Sequence, residues 1–210
     1  MTGSSIAIVL LGLVAAYLLG SVPTGFLLAK AIAGIDIREH GSGNTGATNV
    51  FRVVGKSAGI AALVIDLLKG VVAVRLMMGL VSVTAASGQS WVYWLFTCAA
   101  LLAVLGHSKS VWLGFTGGKS AATGLGVLLA LAWPVGLSVA AVFGVALAIS
   151  RTVSVGSIAA SLSAAIFMGV LGQPLAYILL ALAGGGYVVF RHRSNISRLM
   201  AGTEPKTFGG

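Results

Sequence analysis

The residues best equipped for chemistry lie in three glycine-rich or polar clusters. The first, EHGSGNTGATN, sets Gly41, Gly43 and Gly46 in G-x-G-x-x-G, with an acid, Asp66, twenty residues beyond the last glycine. As a string this is the dinucleotide-binding fingerprint, whose glycines must close a tight turn between a strand and a helix so that a pyrophosphate meets the helix N-terminus. The second, GFTGGKSAATGLG, places Gly117, Gly118 and Lys119 directly before an apolar run. Two glycines admit a ligand close to the backbone, the N–H groups opening a helix lack partners, and lysine adds a full charge: a phosphate cradle by chemistry. It is not a Walker A loop, because the position five before Gly118 is Leu113. The third, RHRSNISRLMAGTEPK, holds His192 and Asn195 three apart, on one face of a helical turn, while His107 opens the stretch that leads to Gly117.

These clusters need elements to hold them, and composition says which. The chain has 210 residues, 58% hydrophobic and 8% charged, 30 glycines and a mean hydropathy of +1.04. Soluble domains carry about a quarter charged residues, so the class is an all-α polytopic integral membrane protein. The apolar windows predict spans over residues 6–29, 57–81, 91–106, 120–132, 135–149, 155–171 and 174–190. The first exceeds the apolar region of a signal peptide and lacks a basic leader, so it is expected to remain as a membrane helix. Several windows fall short of the ~20 residues a perpendicular span needs. The division at Trp133-Pro134 rests on proline's preference for a first helical turn; six spans result if those windows fuse. The single cysteine, Cys98, excludes an internal disulfide and is expected as a small core residue.

Charge distribution selects the topology. With seven spans, the connections after the first, third, fifth and seventh hold 11 of the 13 basic residues, whereas residues 82–90, 133–134 and 172–173 carry none. Cytoplasmic loops hold the excess of Lys and Arg, which predicts a cytosolic C-terminus and an outward N-terminus. The net charge of +9 then sits on one face, beside anionic headgroups rather than nucleic acid. The dinucleotide reading fails in this context. The first cluster follows a membrane helix, no strand precedes it, and Asp66 lies inside the second span. Its glycines, hydroxyls and amides, Gly43, Asn44 and Asn49 among them, with Arg52 beyond, suit a phosphate or carboxylate instead. Asp66 and Lys69, three apart, are expected to form an intramembrane ion pair. With one cysteine and few acids, no metal site is expected.

Five segments, GSVPTGFLLAK, GSGNTGATNVFR, GHSKSVWLGFTGGKSAAT, SRTVSVGSI and RHRSNISRLMAGTEPK, resemble in order and spacing the motifs of the bacterial membrane acyl-phosphate:glycerol-3-phosphate acyltransferases, the PlsY family. The resemblance covers nearly the whole chain. It implies one membrane-embedded acyltransferase domain over residues 1–210, with seven helices in the bacterial inner membrane and cytosolic conserved loops. The implied reaction moves a fatty acyl group from acyl phosphate to the 1-hydroxyl of glycerol 3-phosphate, yielding lysophosphatidic acid and phosphate, without coenzyme A, cofactor or metal. Carried over by motif, Ser42 and Arg52 belong to the first loop's site, Gly117, Gly118 and Lys119 to the phosphate loop, and His192 and Asn195 to the last motif. Within SRTVSVGSI, Ser157 is favoured over Ser154. The chain departs from the family where Ser108-Lys109-Ser110 replaces a Phe-Pro after the histidine and where Ser120 replaces a glycine after the lysine.

An acyl phosphate is already activated, so no covalent enzyme intermediate is needed. The H-x-x-x-x-D pair of other acyltransferases is missing, because Trp112 occupies the acid's position after His107. An organic-phosphate transporter is the alternative; it would place polar residues through several spans and show internal repeats, whereas the spans after the second are nearly free of charge.

Overall fold

A computed structural model describes residues 3–84 and 88–207. Among the described residues there are ten α-helices: α1 Gly3–Ser21, α2 Thr24–Ala33, α3 Ala47–Val53, α4 Lys56–Ser82, α5 Val92–Ser108, α6 Ala121–Leu131, α7 Trp133–Ser150, α8 Val153–Val170, α9 Leu175–Arg191 and α10 Arg193–Met200. Among the described residues there is no strand beyond an isolated bridge between Ser110 and Thr116. Each apolar window coincides with a helix, and the first with the pair α1 and α2. Part of the uncharged connection expected over residues 82–90, namely 85–87, lies outside the described residues. Among the described residues three segments are long and apolar enough to cross a membrane, 3–33, α7 and α8, or four if the bent pair α9 and α10 counts as one. The helices α5 and α6 are shorter and apolar.

Burial runs opposite to that of a soluble protein. Leu11, Ile149 and Val170 are 69–80% exposed, while the buried positions hold many alanines, serines and threonines. Such an exterior matches hydrocarbon, and small interior residues let helix backbones approach. The chain divides into two compact units, residues 1–131 and 132–210.

In the first unit α4 packs on α6, and α1 on α5 and α4. The α4–α6 crossing is close because glycines meet there: a Cβ on Gly70 would fall 2.3 Å from the Thr123 carbonyl oxygen, and one on Gly126 2.0 Å from that of Leu67. Pro23 interrupts the first apolar window, lacking the N–H a continuous helix requires, and α2 restarts at Thr24. On α5 the buried positions include Val92, Ala99, Ala100, Ala103 and His107, spaced by about a helical turn. Cys98 falls off that stripe and is exposed, so the expectation of a core cysteine is corrected.

In the second unit α7, α8 and α9 pack in succession. Pro134 lies in the first turn of α7, where its missing donor costs nothing, so the division expected there stands. Beyond α9 the chain bends by 57° at His192 into α10.

Candidate active site

Both glycine clusters fall in the first unit. The segment from Asp36 to Gly46 is built around Asn49, a buried residue of α3 that is 2% exposed. Its amide nitrogen donates to the carbonyls of Ile37, His40 and Asn44 at 3.3, 3.0 and 2.9 Å, and its Oδ1 accepts from the Ser42 N–H at 2.9 Å. The Asn44 side chain accepts from the Gly46 N–H at 2.9 Å, closing the turn into α3. Gly41 and Gly43 adopt φ of +58° and +68°, conformations that glycine enters without strain. Sequence reasoning counts Asn49 among the phosphate-binding residues, yet its side chain makes four bonds to the loop's own backbone and so builds the loop. Ser42 and Arg52 are exposed at its surface.

The second loop, residues 109–120, is clamped at several points. The Tyr17 hydroxyl donates to the Lys109 carbonyl at 2.8 Å, and the Ser110 hydroxyl donates to the Ser21 carbonyl at 2.5 Å. The Gly118 N–H donates to the His107 carbonyl at 3.1 Å. A Cβ on Gly118 would fall 2.0 Å from Nε2 of His107, so any other residue there would have to displace the ring. Ser120 donates to the Val104 carbonyl at 2.7 Å, and the loop then enters α6.

The two loops share one cleft of about 420 Å³, lined by Asp36, Arg38, Glu39, Gly43, Thr45, Thr116 and Gly117. At its rim Arg38 pairs with Asp36 at 2.6 Å and stacks over the Phe26 ring, its Cζ 5.3 Å from the ring centroid. Hydrogen bonds and charge from Arg38 hold the Asp36 carboxyl down to about 2. That rim is therefore ionised throughout the neutral range, an acid and a base side by side.

In the second unit the last motif closes on a residue that no sequence motif singles out. Glu204 is 3% exposed at its side chain and accepts from Ser154 Oγ at 2.8 Å, Asn195 Nδ2 at 2.6 Å and Arg198 Nε at 2.7 Å. Burial pushes its carboxyl up, but the bonds from Asn195, Ser154 and Arg198, with the Arg198 charge, outweigh it and leave the group below the usual carboxylate range. His192 and Asn195 share the α9–α10 bend as expected from their spacing, and both are buried. The His192 ring nitrogen Nδ1 lies 2.7 Å from the Val188 carbonyl, which fixes a protonated Nδ1. Ser154 is thus committed to Glu204, while the Ser157 carbonyl accepts from Ser161. Among the described residues no three His, Cys, Asp or Glu gather as metal ligands would.

The glycerol-3-phosphate acyltransferase family model matches residues 10–202. The chain belongs to that family. A glycerol-3-phosphate acyltransferase of Trichormus variabilis is 55% identical over 201 residues, covering 92% of this chain and 89% of the relative. Another, from Acaryochloris marina, is 52% identical over 202 residues, with 92% and 90% covered. Two crystal structures of PlsY, an integral membrane glycerol 3-phosphate acyltransferase, superpose on nearly the whole chain. Its glycerol 3-phosphate form gives a TM-score of 0.84 at 39% identity, covering 99% of this chain and 96% of that one. Its lysophosphatidic acid form gives 0.82 at 38%, with the same coverage.

This acyltransferase puts its departures from the family's motif to use. Ser110 supplies the hydroxyl that anchors the second loop to Ser21. Ser120 occupies φ of +65°, a backbone state glycine enters freely, and its bond to Val104 offsets that strain. Glu204 carried one legible signal: it is the only acid after Asp66 in the whole chain.

Proposed function

We propose that this membrane acyltransferase carries a fatty acyl group from acyl phosphate to the 1-hydroxyl of glycerol 3-phosphate. The products are lysophosphatidic acid and inorganic phosphate, in the first acylation of phospholipid synthesis. The observation that carries the reading is the cleft shared by the two glycine loops, in a chain that superposes on a glycerol 3-phosphate-bound relative over 99% of its length. Both proposed substrates carry phosphate; Gly43 and Gly117 line the cleft, and Arg52 and Lys119, near them along the chain, carry the charge that suits such groups.

In the proposed step the acceptor oxygen attacks the acyl carbon, the bond from that carbon to the phosphate oxygen breaks, and the hydroxyl proton passes to a phosphate oxygen. Arg52 and Lys119 neutralise phosphate charge, including that on the leaving group, with Gly43, Asn44, Gly117 and Gly118 letting the main chain come close to the phosphate and Ser42 supplying a hydroxyl. His192 orients the acceptor through Asn195, and Ser157 contributes a second hydroxyl. Asn49 serves by shaping the first loop. The chain acts as a single catalytic domain with seven crossings of the bacterial inner membrane and its conserved loops in the cytosol. Neither coenzyme A nor a cofactor takes part.

The test is direct. Purified protein in micelles receives labelled glycerol 3-phosphate with either acyl phosphate or acyl-CoA. Lysophosphatidic acid from acyl phosphate alone is expected. Product from acyl-CoA alone would refute the donor, and no product from either would refute the reaction.

A further inference from the structure

Beneath the second loop lies a buried charged cluster that acyl transfer, as proposed, leaves without a task. Asp66 and Lys69 on α4 are 2% and 7% exposed, and Lys69 Nζ stands 2.8 Å from Asp66 Oδ1. Lys69 also donates to the Val22 carbonyl at 3.0 Å. On α5, Nδ1 of His107 lies 3.6 Å from the same carboxylate oxygen and 3.2 Å from the Thr123 hydroxyl of α6. The other side of His107 is the bed of the loop. Its carbonyl accepts from the Gly118 N–H at 3.1 Å, and side chains at Gly117 and Gly118 would collide with its carbonyl and its Nε2 at 2.3 and 2.0 Å.

Two physical facts weigh against a purely structural pair. A buried ion pair is rarely more stabilising than apolar residues of the same volume, so packing alone gives no reason to bury these charges. Its carboxylate also faces a third helix's imidazole, which touches the loop main chain. The cluster itself has no room to seat a substrate phosphate. The space among Thr24, Asp66, Lys69, His107 and Gly117 is about 10 Å³, room for one water-sized group and none for a phosphate.

We propose that Asp66 is a positioning residue: acting through His107, it fixes the Gly117-Gly118-Lys119 main chain in the form that receives phosphate. The inference rests on the phosphate-loop reading given above. Lys69 is its counter-ion and ties the arrangement to the chain break at Val22-Pro23. An imidazole held from one side by Asp66 and Thr123 cannot tilt, so the glycines that lie on it keep their path.

The decisive variant is Asp66→Asn combined with Lys69→Met, which removes both charges and leaves neither buried alone. The expected result is a folded enzyme whose KM for one of the two phosphate-bearing substrates rises about 10- to 100-fold, the scale of ångström-level misplacement, while kcat falls less than about threefold. His107→Gln should raise the same KM. Adding it to the double variant should give little further loss, since both act along one path. Wild-type KM values in the folded double variant would overturn the proposal, as would a fall in kcat alone or losses that add. Should the double variant not fold, His107→Gln in the wild-type background carries the same expectation and the same refutation. Lys119→Ala separates the two layers: if it keeps wild-type kinetics, the phosphate-loop reading fails irrespective of Asp66.

Discussion

Replacing Glu204 by alanine should loosen the second unit measurably. The carboxylate accepts three bonds at 2.6–2.8 Å, from Ser154, Asn195 and Arg198. Bonds to a charged group contribute about 1.5–3 kcal/mol each, but the three losses do not simply add. The Arg198 side chain is 36% exposed and regains water, whereas Asn195 is 7% exposed and its amide is left buried. Ser154, 4% exposed, loses the same acceptor, so the expected loss is about 3 kcal/mol, carried by Asn195 and Ser154. For a chain of this size that corresponds to a fall in Tm of about 6–12 °C. Fluorescence-detected melting in micelles measures it. The ionised carboxylate also gives a pH signature. Its folded pKa lies below its unfolded value, so its stabilisation is full above the ordinary glutamate pKa of 4.5 and is lost as pH falls through the folded value. The Tm difference between wild type and Glu204→Gln should accordingly hold steady from neutral pH down to about 5 and shrink below the ordinary glutamate range. A difference independent of pH across that range, or a Glu204→Ala protein melting with the wild type, would refute the argument.

Asn49→Ala removes four bonds from the first loop. It should cost about 2–4 kcal/mol, make the segment before α3 a site of limited proteolysis, and abolish most turnover. Ser120 offers a paired test. Ser120→Ala keeps the left-handed backbone strain and loses the bond to Val104, costing about 1–2 kcal/mol. Ser120→Gly loses the same bond but relieves the strain, and should melt within about 1 kcal/mol of wild type.

Much of this was legible in the sequence because membrane helices announce themselves by unbroken apolar runs. Each window found its helix, and Pro134 marked the start of α7. What the windows could not show was decided by contacts between distant residues or by elements too short to carry a pattern. The seven-residue α3 lies inside a polar loop, and the four bonds that its Asn49 makes to that loop's backbone have no sequence pattern to announce them. The Asp66–Lys69 pair was readable from helical spacing, but His107 reaches the pair from another helix, 41 residues along the chain from Asp66. Glu204 draws its partners from 50, 9 and 6 residues away, a set with no shared periodicity. Cys98 went the other way: an apolar neighbourhood suggested burial, yet the helix turns that residue outward, into the surface that lipid would cover.

The break at Val22-Pro23 has a consequence for how this protein can change. Where α1 ends, the carbonyls of Ser21 and Val22 are released from the helical ladder, and Ser110 and Lys69 take them up. Both anchors grip main chain, and main chain is the same whatever residue supplies it. Mutation at position 22 can therefore drift through other apolar types without unfastening the second loop or α4. Position 23 has no such latitude, because a residue bearing an N–H would let the helix run on and withdraw both handholds at once.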